Sequence, residues 1–273
     1  MTITQALDIA ETHLRESCQK PRFEAELLLA YHLGKERLYL HIHGDERVED
    51  IDAYHGLVKR REAHEPYEYI VGIASFYDIV LFVERGVLIP RPETELLIDR
   101  VAQVIEREDI TQIVEIGVGS GAISIVLARK FPQLKIIATD ISEDALRIAS
   151  HNVKHFGLEG QITLIGSNLM DEVKIKPQLV VSNPPYIASN FKLERNISEY
   201  EPHAALFGGR DGDELLHRII CDIHKRAIVW LACEMGYDQR NSMQGHFDEI
   251  GVKMSEFYQD LAGFDRGFVV RLG

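Results

Sequence analysis

Apolar residues recur at helical spacing through residues 1–64. Ile3, Leu7, Ala10 and Leu14 share one stripe. Pro21 opens a second helical pattern with Phe23, Leu27, Ala30 and Tyr31 on one face and Gly34 after its end. A short third helix is predicted over 35–41, and Val48, Ile51, Tyr54 and Val58 mark a fourth. The pattern breaks at Pro66-Tyr67-Glu68-Tyr69-Ile70-Val71-Gly72. Aromatic and β-branched residues then crowd 76–83, followed by Glu84-Arg85-Gly86 and the apolar 87–89, which predicts a β-hairpin turning at 84–86. Pro90-Arg91-Pro92-Glu93-Thr94-Glu95 starts a helix that runs through Leu97, Val101 and Val104.

From there strand and helix patterns alternate. Strands are predicted over 112–116, 135–139, 161–165 and 178–182, and helices over 120–130 and 142–156, with Ser142 as N-cap. An irregular stretch follows Tyr186 as far as Asp213. A helix over 214–225, a strand over 227–233 and a terminal hairpin from about 252 complete the chain. This alternation implies a parallel sheet covered by helices on both faces. The expected organisation is a helical bundle over 1–70, a β-hairpin linker over 71–89 and an α/β domain over 90–273.

Composition narrows the class. The chain has 273 residues, 45% hydrophobic and 27% charged, as in an ordinary globular protein. No apolar run approaches a membrane span, and the first residues carry Asp8 and Glu11 without a basic n-region, unlike a signal peptide. Cys18, Cys221 and Cys233 are few and widely spaced, which fits buried structural thiols in a reducing cytoplasm. The net charge of -13 favours a basic protein partner over bare nucleic acid. His41 and His43 have no nearby partner that would make a metal site, and no metal is expected.

Two stretches carry chemistry. Glu115-Ile116-Gly117-Val118-Gly119-Ser120-Gly121 follows the first strand of the α/β region and opens a helix, where glycines allow the backbone to approach a ligand closely. Asp140 ends the next strand, nineteen residues after Gly121, where a carboxylate can accept from both hydroxyls of a ribose. NAD is the rival ligand, because Gly117, Gly119 and Ala122 also satisfy the permissive dinucleotide pattern. The second stretch is Asn183-Pro184-Pro185-Tyr186, which stops a buried strand. It offers a side-chain amide oxygen on Asn183, the Pro184 carbonyl and a flat ring on Tyr186. Two acceptors beside an aromatic face suit a planar –NH2 group, for which a dehydrogenase has no evident use.

Together these motifs resemble a class I S-adenosylmethionine-dependent methyltransferase. More narrowly, the chain resembles the HemK/PrmC family, the bacterial release-factor glutamine N5-methyltransferases, over nearly its whole length. Pro66, Tyr69-Ile70, Gly72, Phe76-Tyr77 and the run Gly86 to Glu95 match that family's linker and domain junction. Glu201-Pro202, Ala205-Leu206, Gly208-Gly209 and Asp211-Gly212 match its segment after the active site, and Asp260-Leu261, Gly263 and Arg266 its C-terminal signature. There are two departures. Asn168 stands where the family usually has an acidic residue on the adenine side, and Asp213 where it usually has leucine.

The resemblance implies a Rossmann-like domain with a mostly parallel seven-stranded sheet ending in an antiparallel hairpin. It implies methyl transfer from S-adenosylmethionine, leaving S-adenosylhomocysteine, to the Gly-Gly-Gln glutamine of peptide chain release factors in the cytoplasm. Gly117, Val118, Gly119, Ser120, Gly121, Asp140, Asn168 and Asn183 would line the cofactor. Asn183, Pro184, Pro185 and Tyr186 would hold the substrate amide. The alternatives are an adenine-N6 nucleic-acid methyltransferase and a non-catalytic binding module of the same fold. The first needs a basic surface that this acidic chain does not advertise, and the second leaves the intact Asn183 to Tyr186 turn without a purpose.

Overall fold

The computed structural model describes residues 1–252 and 254–272 and divides into two compact units. The first comprises residues 1–73 and 193–200. It contains α1 (Ile3–Leu14), α2 (Pro21–Leu33), α3 (Arg37–Ile42), α4 (Ile51–Glu62) and α5 (Tyr67–Val71). The stripe Ile3, Leu7, Ala10 and Leu14 packs with Leu28, Leu29, Tyr54 and Val58 into a separate core. Thr2 caps α1 reciprocally with Gln5, and Gly34 ends α2 in the left-handed conformation. The short α5 stands where the helical pattern was expected to have ended, opened by Pro66 and closed by the left-handed Gly72. Residues 193–200 join this unit through the Tyr200 hydroxyl, which donates to the Ala63 carbonyl at 2.7 Å.

The second unit comprises residues 74–192 and 201–273. The hairpin is β1 (Ile73–Phe76) and β2 (Ile79–Phe82), so it turns at Tyr77-Asp78 and not at 84–86. The cause lies in a distant helix. Tyr77 adopts φ +54°, and its N–H donates to Glu95 Oε1 at 2.8 Å while its hydroxyl reaches Asp99 at 2.8 Å. Then come α6 (Thr94–Glu108), β3 (Gln112–Ile116), α7 (Ala122–Lys130), β4 (Lys135–Asp140), α8 (Glu143–His155), β5 (Ile162–Gly166), β6 (Leu179–Ser182) and the short β7 (Ile187–Ala188). After α9 (Arg195–Ser198), which belongs to the first unit, follow β8 (Phe207–Gly209), α10 (Glu214–Lys225), β9 (Trp230–Glu234), α11 (Arg240–Glu249), β10 (Met254–Gln259) and β11 (Asp265–Arg271). The helix α11 and the β7–β8 pair were not anticipated from the pattern.

Seven strands form one sheet in the order β10-β11-β9-β6-β3-β4-β5. The five from β9 to β5 run parallel, and β11 and β10 antiparallel, as the resemblance implied. Side chains alternate across it. Ile113, Ile136, Leu179 and Val181 face a core shared with Leu97, Val101 and Ile125. Val114, Ile116, Val180 and Leu231 face another, built with Leu216, Ile220, Met243 and Phe247. Helices therefore cover both faces, and the parallel strands read as unbroken apolar runs. Sequential strands leave β3 in opposite directions, β4 on one side and β6 on the other. A crevice at such a switch point is where open α/β sheets bind ligands.

Candidate active site

Strand register lines up the chemistry-bearing residues. Ile116 pairs with Thr139 on one side and Ser182 on the other, and Ser182 pairs with Cys233. Gly117, Asp140, Asn183 and Glu234 therefore stand along one edge, at the carboxyl ends of β3, β4, β6 and β9. A cavity of about 310 Å³ opens there, lined by residues 115–120, 139–142, 167–169 and 182–185 with Thr94 and Arg91. Of the predicted set, Gly117, Val118, Gly119, Ser120, Asp140, Asn168, Asn183, Pro184 and Pro185 line it. Gly121 and Tyr186 do not line it. Gly121 instead begins α7 at φ +89°, close against α8.

The glycine loop is pinned from below. The N–H groups of Gly117 and Val118 both donate to the Thr139 carbonyl, at 2.8 and 2.9 Å. Gly119 N–H donates to Asp140 Oδ2 at 3.0 Å, and Ser142 N–H to Asp140 Oδ1 at 2.9 Å. Asp140 is thus oriented by two backbone donors, and its carboxylate keeps lone pairs for further hydroxyls. The buried Asn152 of α8 accepts from Phe82 N–H and donates to the Phe82 and Ser120 carbonyls, all at 2.9 Å. The hairpin and the glycine loop are tied through that one amide. Asn168 is exposed at the cavity, and its amide nitrogen donates to Asp171 at 3.3 Å.

Glu115 is 1% exposed at the cavity wall. The N–H of Ser124 donates to its Oε2 at 3.0 Å, and the Ser124 hydroxyl donates to the same oxygen. Burial outweighs these donors and pushes its carboxyl up to about 8.

On the other side, Asn183 Nδ2 donates to Thr94 Oγ1 at 2.9 Å. Thr94 Oγ1 donates to Glu234 Oε2 at 2.7 Å, and the Tyr186 hydroxyl donates to Glu234 Oε1 at 2.9 Å. Glu234 is 1% exposed, and burial raises its carboxyl above the usual range. Burial likewise raises the Tyr186 hydroxyl, so it stays a donor. The dense charge at 91–95 also resolves. Arg91 donates to Glu201 Oε1 at 2.5 Å, and Ile89 N–H to Glu201 Oε2 at 3.1 Å. That buried carboxylate fixes the Pro90-Arg91 segment beside Pro202 and Ala205 at the cavity.

Asp213 finds a polar setting that leucine could not use. Ser242 Oγ donates to it at 2.5 Å, and His217 Nε2 lies 3.4 Å away. The members of this hydrogen-bond network that the pattern missed are Thr94 and Glu234. Glu234 carried one signal, a carboxylate ending the apolar run that became β9. Among the described residues no group of His, Cys, Asp or Glu is arranged to hold a metal ion, and no helix is long and apolar enough to cross a membrane.

Known proteins match the same layout. Residues 5–72 match the model described as the PrmC N-terminal domain, and residues 92–200 that of the methyltransferase small domain. A release factor glutamine methyltransferase from Koribacter versatilis is 37% identical, over 99% of each chain. Another from Dictyoglomus turgidum is 37% identical, over 89% of this chain and 88% of that one. Among solved structures, the hMettl16 catalytic domain in complex with MAT2A 3'UTR hairpin 6 superposes with TM-score 0.59 at 16% identity, covering 71% of this chain and 75% of that one. The N-terminal domain of human METTL16 in complex with SAH gives TM-score 0.54 at 19% identity, with the same coverage. Those two likenesses are of fold alone. The full-length relatives go further, and the chain belongs to the release factor glutamine methyltransferase family.

Proposed function

We propose that this protein transfers a methyl group from S-adenosylmethionine to the side-chain amide nitrogen of the Gly-Gly-Gln glutamine in peptide chain release factors. The observation that carries the reading is the Asn183 amide. Its nitrogen is engaged by Thr94, which leaves Oδ1 as the atom presented at the cavity.

The residues fit the cofactor. Asp140, already oriented by Gly119 and Ser142, has acceptor capacity left for ribose hydroxyls. Gly117 and Gly119 bring bare backbone to the cavity beside it. Asn168 borders the adenine side. Glu115 is a buried carboxyl in need of a cation, and an amino group of the cofactor's methionine end supplies one. When bound, the cofactor supplies an electrophilic methyl group on a sulfonium sulfur.

An amide nitrogen is a poor nucleophile because its lone pair is delocalised. Asn183 Oδ1 and the Pro184 carbonyl accept its two hydrogens and stabilise the positive charge that grows on nitrogen as the bond forms. The same two contacts aim the nitrogen, which lowers the entropic part of the barrier. Pro185 stiffens the turn. Tyr186, which does not line the cavity, is tethered to Glu234 and fixes the far end of the turn. No base need act before transfer, since the proton leaves afterwards from a cationic nitrogen.

The test is incubation of the purified protein with methyl-labelled S-adenosylmethionine and a lysate of cells lacking this activity. Label is expected in a protein band of release-factor mass. Label in nucleic acid, or in no macromolecule, overturns the reading.

A further inference from the structure

The geometry points to Glu234 and Thr94 as positioning residues, a relay that decides which end of the Asn183 side-chain amide faces the cavity. The inference rests on the reading of the site as a clamp for a glutamine amide.

The placement of the hydrogens decides the orientation. In its ionised form, which Arg266 supports, Glu234 has no hydrogen to give, so both of its neighbours donate. The Tyr186 hydroxyl gives its hydrogen to Glu234 Oε1, and Thr94 gives its only one to Oε2. With its hydrogen committed, Thr94 Oγ1 can only accept from Asn183, 2.9 Å away. Only Nδ2 of that amide can donate. Oδ1 is therefore turned toward the cavity, where an acceptor is wanted. The two ends of an amide have nearly the same shape, so sterics alone would not choose between them. The choice is made by a carboxylate that does not itself line the cavity.

Thr94 and Glu234 are 4% and 1% exposed, so water cannot substitute for either partner. The relay joins three elements, the start of α6, the turn after β6 and the end of β9. The surroundings of Glu234 are mixed. Glu93 opposes its ionisation, and Arg266 supports it. Tyr258 of β10 is a further titratable neighbour. If the relay is reversed, so that Thr94 donates to Asn183, the amide turns over and Nδ2 faces the substrate amide. Two donors then oppose each other at the point of attack.

The test is single-turnover methylation of a release-factor substrate by Asn183→Ala and four further variants, with affinity for S-adenosylhomocysteine and thermal melting measured alongside. Thr94→Val removes the hydroxyl at constant shape, and its rate is expected to fall on the order of 10–100-fold. Thr94→Ser restores the hydroxyl and is expected to stay within about threefold of wild type, since the relay is intact. Glu234→Gln introduces a donor that permits the reversed relay, and its rate is expected to fall as for Thr94→Val, again at about 10-fold or more. Affinity for S-adenosylhomocysteine is expected to hold in all three. In the fourth variant, Thr94→Val added to Asn183→Ala, no further loss is expected, because no amide remains to orient.

A purely structural role for Thr94 would lower the rate equally in both backgrounds, and that result overturns the inference. So does a wild-type rate in Thr94→Val or, should that variant not fold, in Glu234→Gln. Failure of the wild type to methylate any glutamine instead defeats the underlying reading and is seen before any variant is made.

Discussion

At the scale of single residues, the site depends on carboxyl groups held away from water. Glu115 shows the consequence most directly. Its carboxyl sits at about 8 in the folded protein, against an ordinary 4.5. A neutral Glu115 therefore favours folding. That contribution is fully present below 4.5 and is lost as pH rises through about 8. Each pH unit inside the window removes at most about 1.4 kcal/mol. Denaturant unfolding of the ligand-free protein across that window is expected to show falling stability, and Glu115→Gln is expected to flatten the slope. Glu234 contributes with the same sign, so the slope does not vanish. An unchanged slope in Glu115→Gln would show that its carboxyl is solvated. The readable residues were those that end an apolar run with unusual chemistry, Gly117, Asp140 and Asn183 among them. Thr94 and Glu234 were hidden because their meaning is in each other. Thr94 lies 89 positions from Asn183 and 140 from Glu234.

At the scale of elements, backbone packing around the Asn183 turn is close. Gly212 has φ +94°, and a Cβ there would come 2.5 Å from the Tyr186 carbonyl oxygen and 2.8 Å from Ala188 N. Gly212→Ala is expected to cost about 1–3 kcal/mol and to reduce turnover by displacing Tyr186. Gly245, inside α11 with nothing nearby, is the control. Gly245→Ala is expected to gain up to about 1 kcal/mol, with turnover unchanged. Urea midpoints and initial rates of the two variants decide this, and equal behaviour would contradict the packing account. Helices with strong apolar stripes, such as α1, α6 and α10, and the buried parallel strands were legible. The helix α11 was not, because only Met243 and Phe247 are buried in it. The hairpin turn was misplaced because Glu84-Arg85-Gly86 has turn composition, while Tyr77 holds φ +54° through partners on α6. Local pattern cannot report a strain relieved by a distant helix.

At the scale of the whole molecule, the alternation of strands and helices fixed the sheet type, and the register of that sheet assembles the site. Residues 193–200 return to the first unit, and no periodicity in the sequence announces it. The strongly acidic chain remains consistent with a protein substrate that brings its own basic surface. The central claim is that Asn183 presents an acceptor to a glutamine amide. Its most direct test is mass spectrometry of a release factor incubated with S-adenosylmethionine and either wild type or Asn183→Ala. The account predicts one added methyl group on the Gly-Gly-Gln glutamine with the wild type, and a rate lowered about 10²–10³-fold with a folded Asn183→Ala. A methyl group on another residue, or near wild-type transfer by Asn183→Ala, would contradict it.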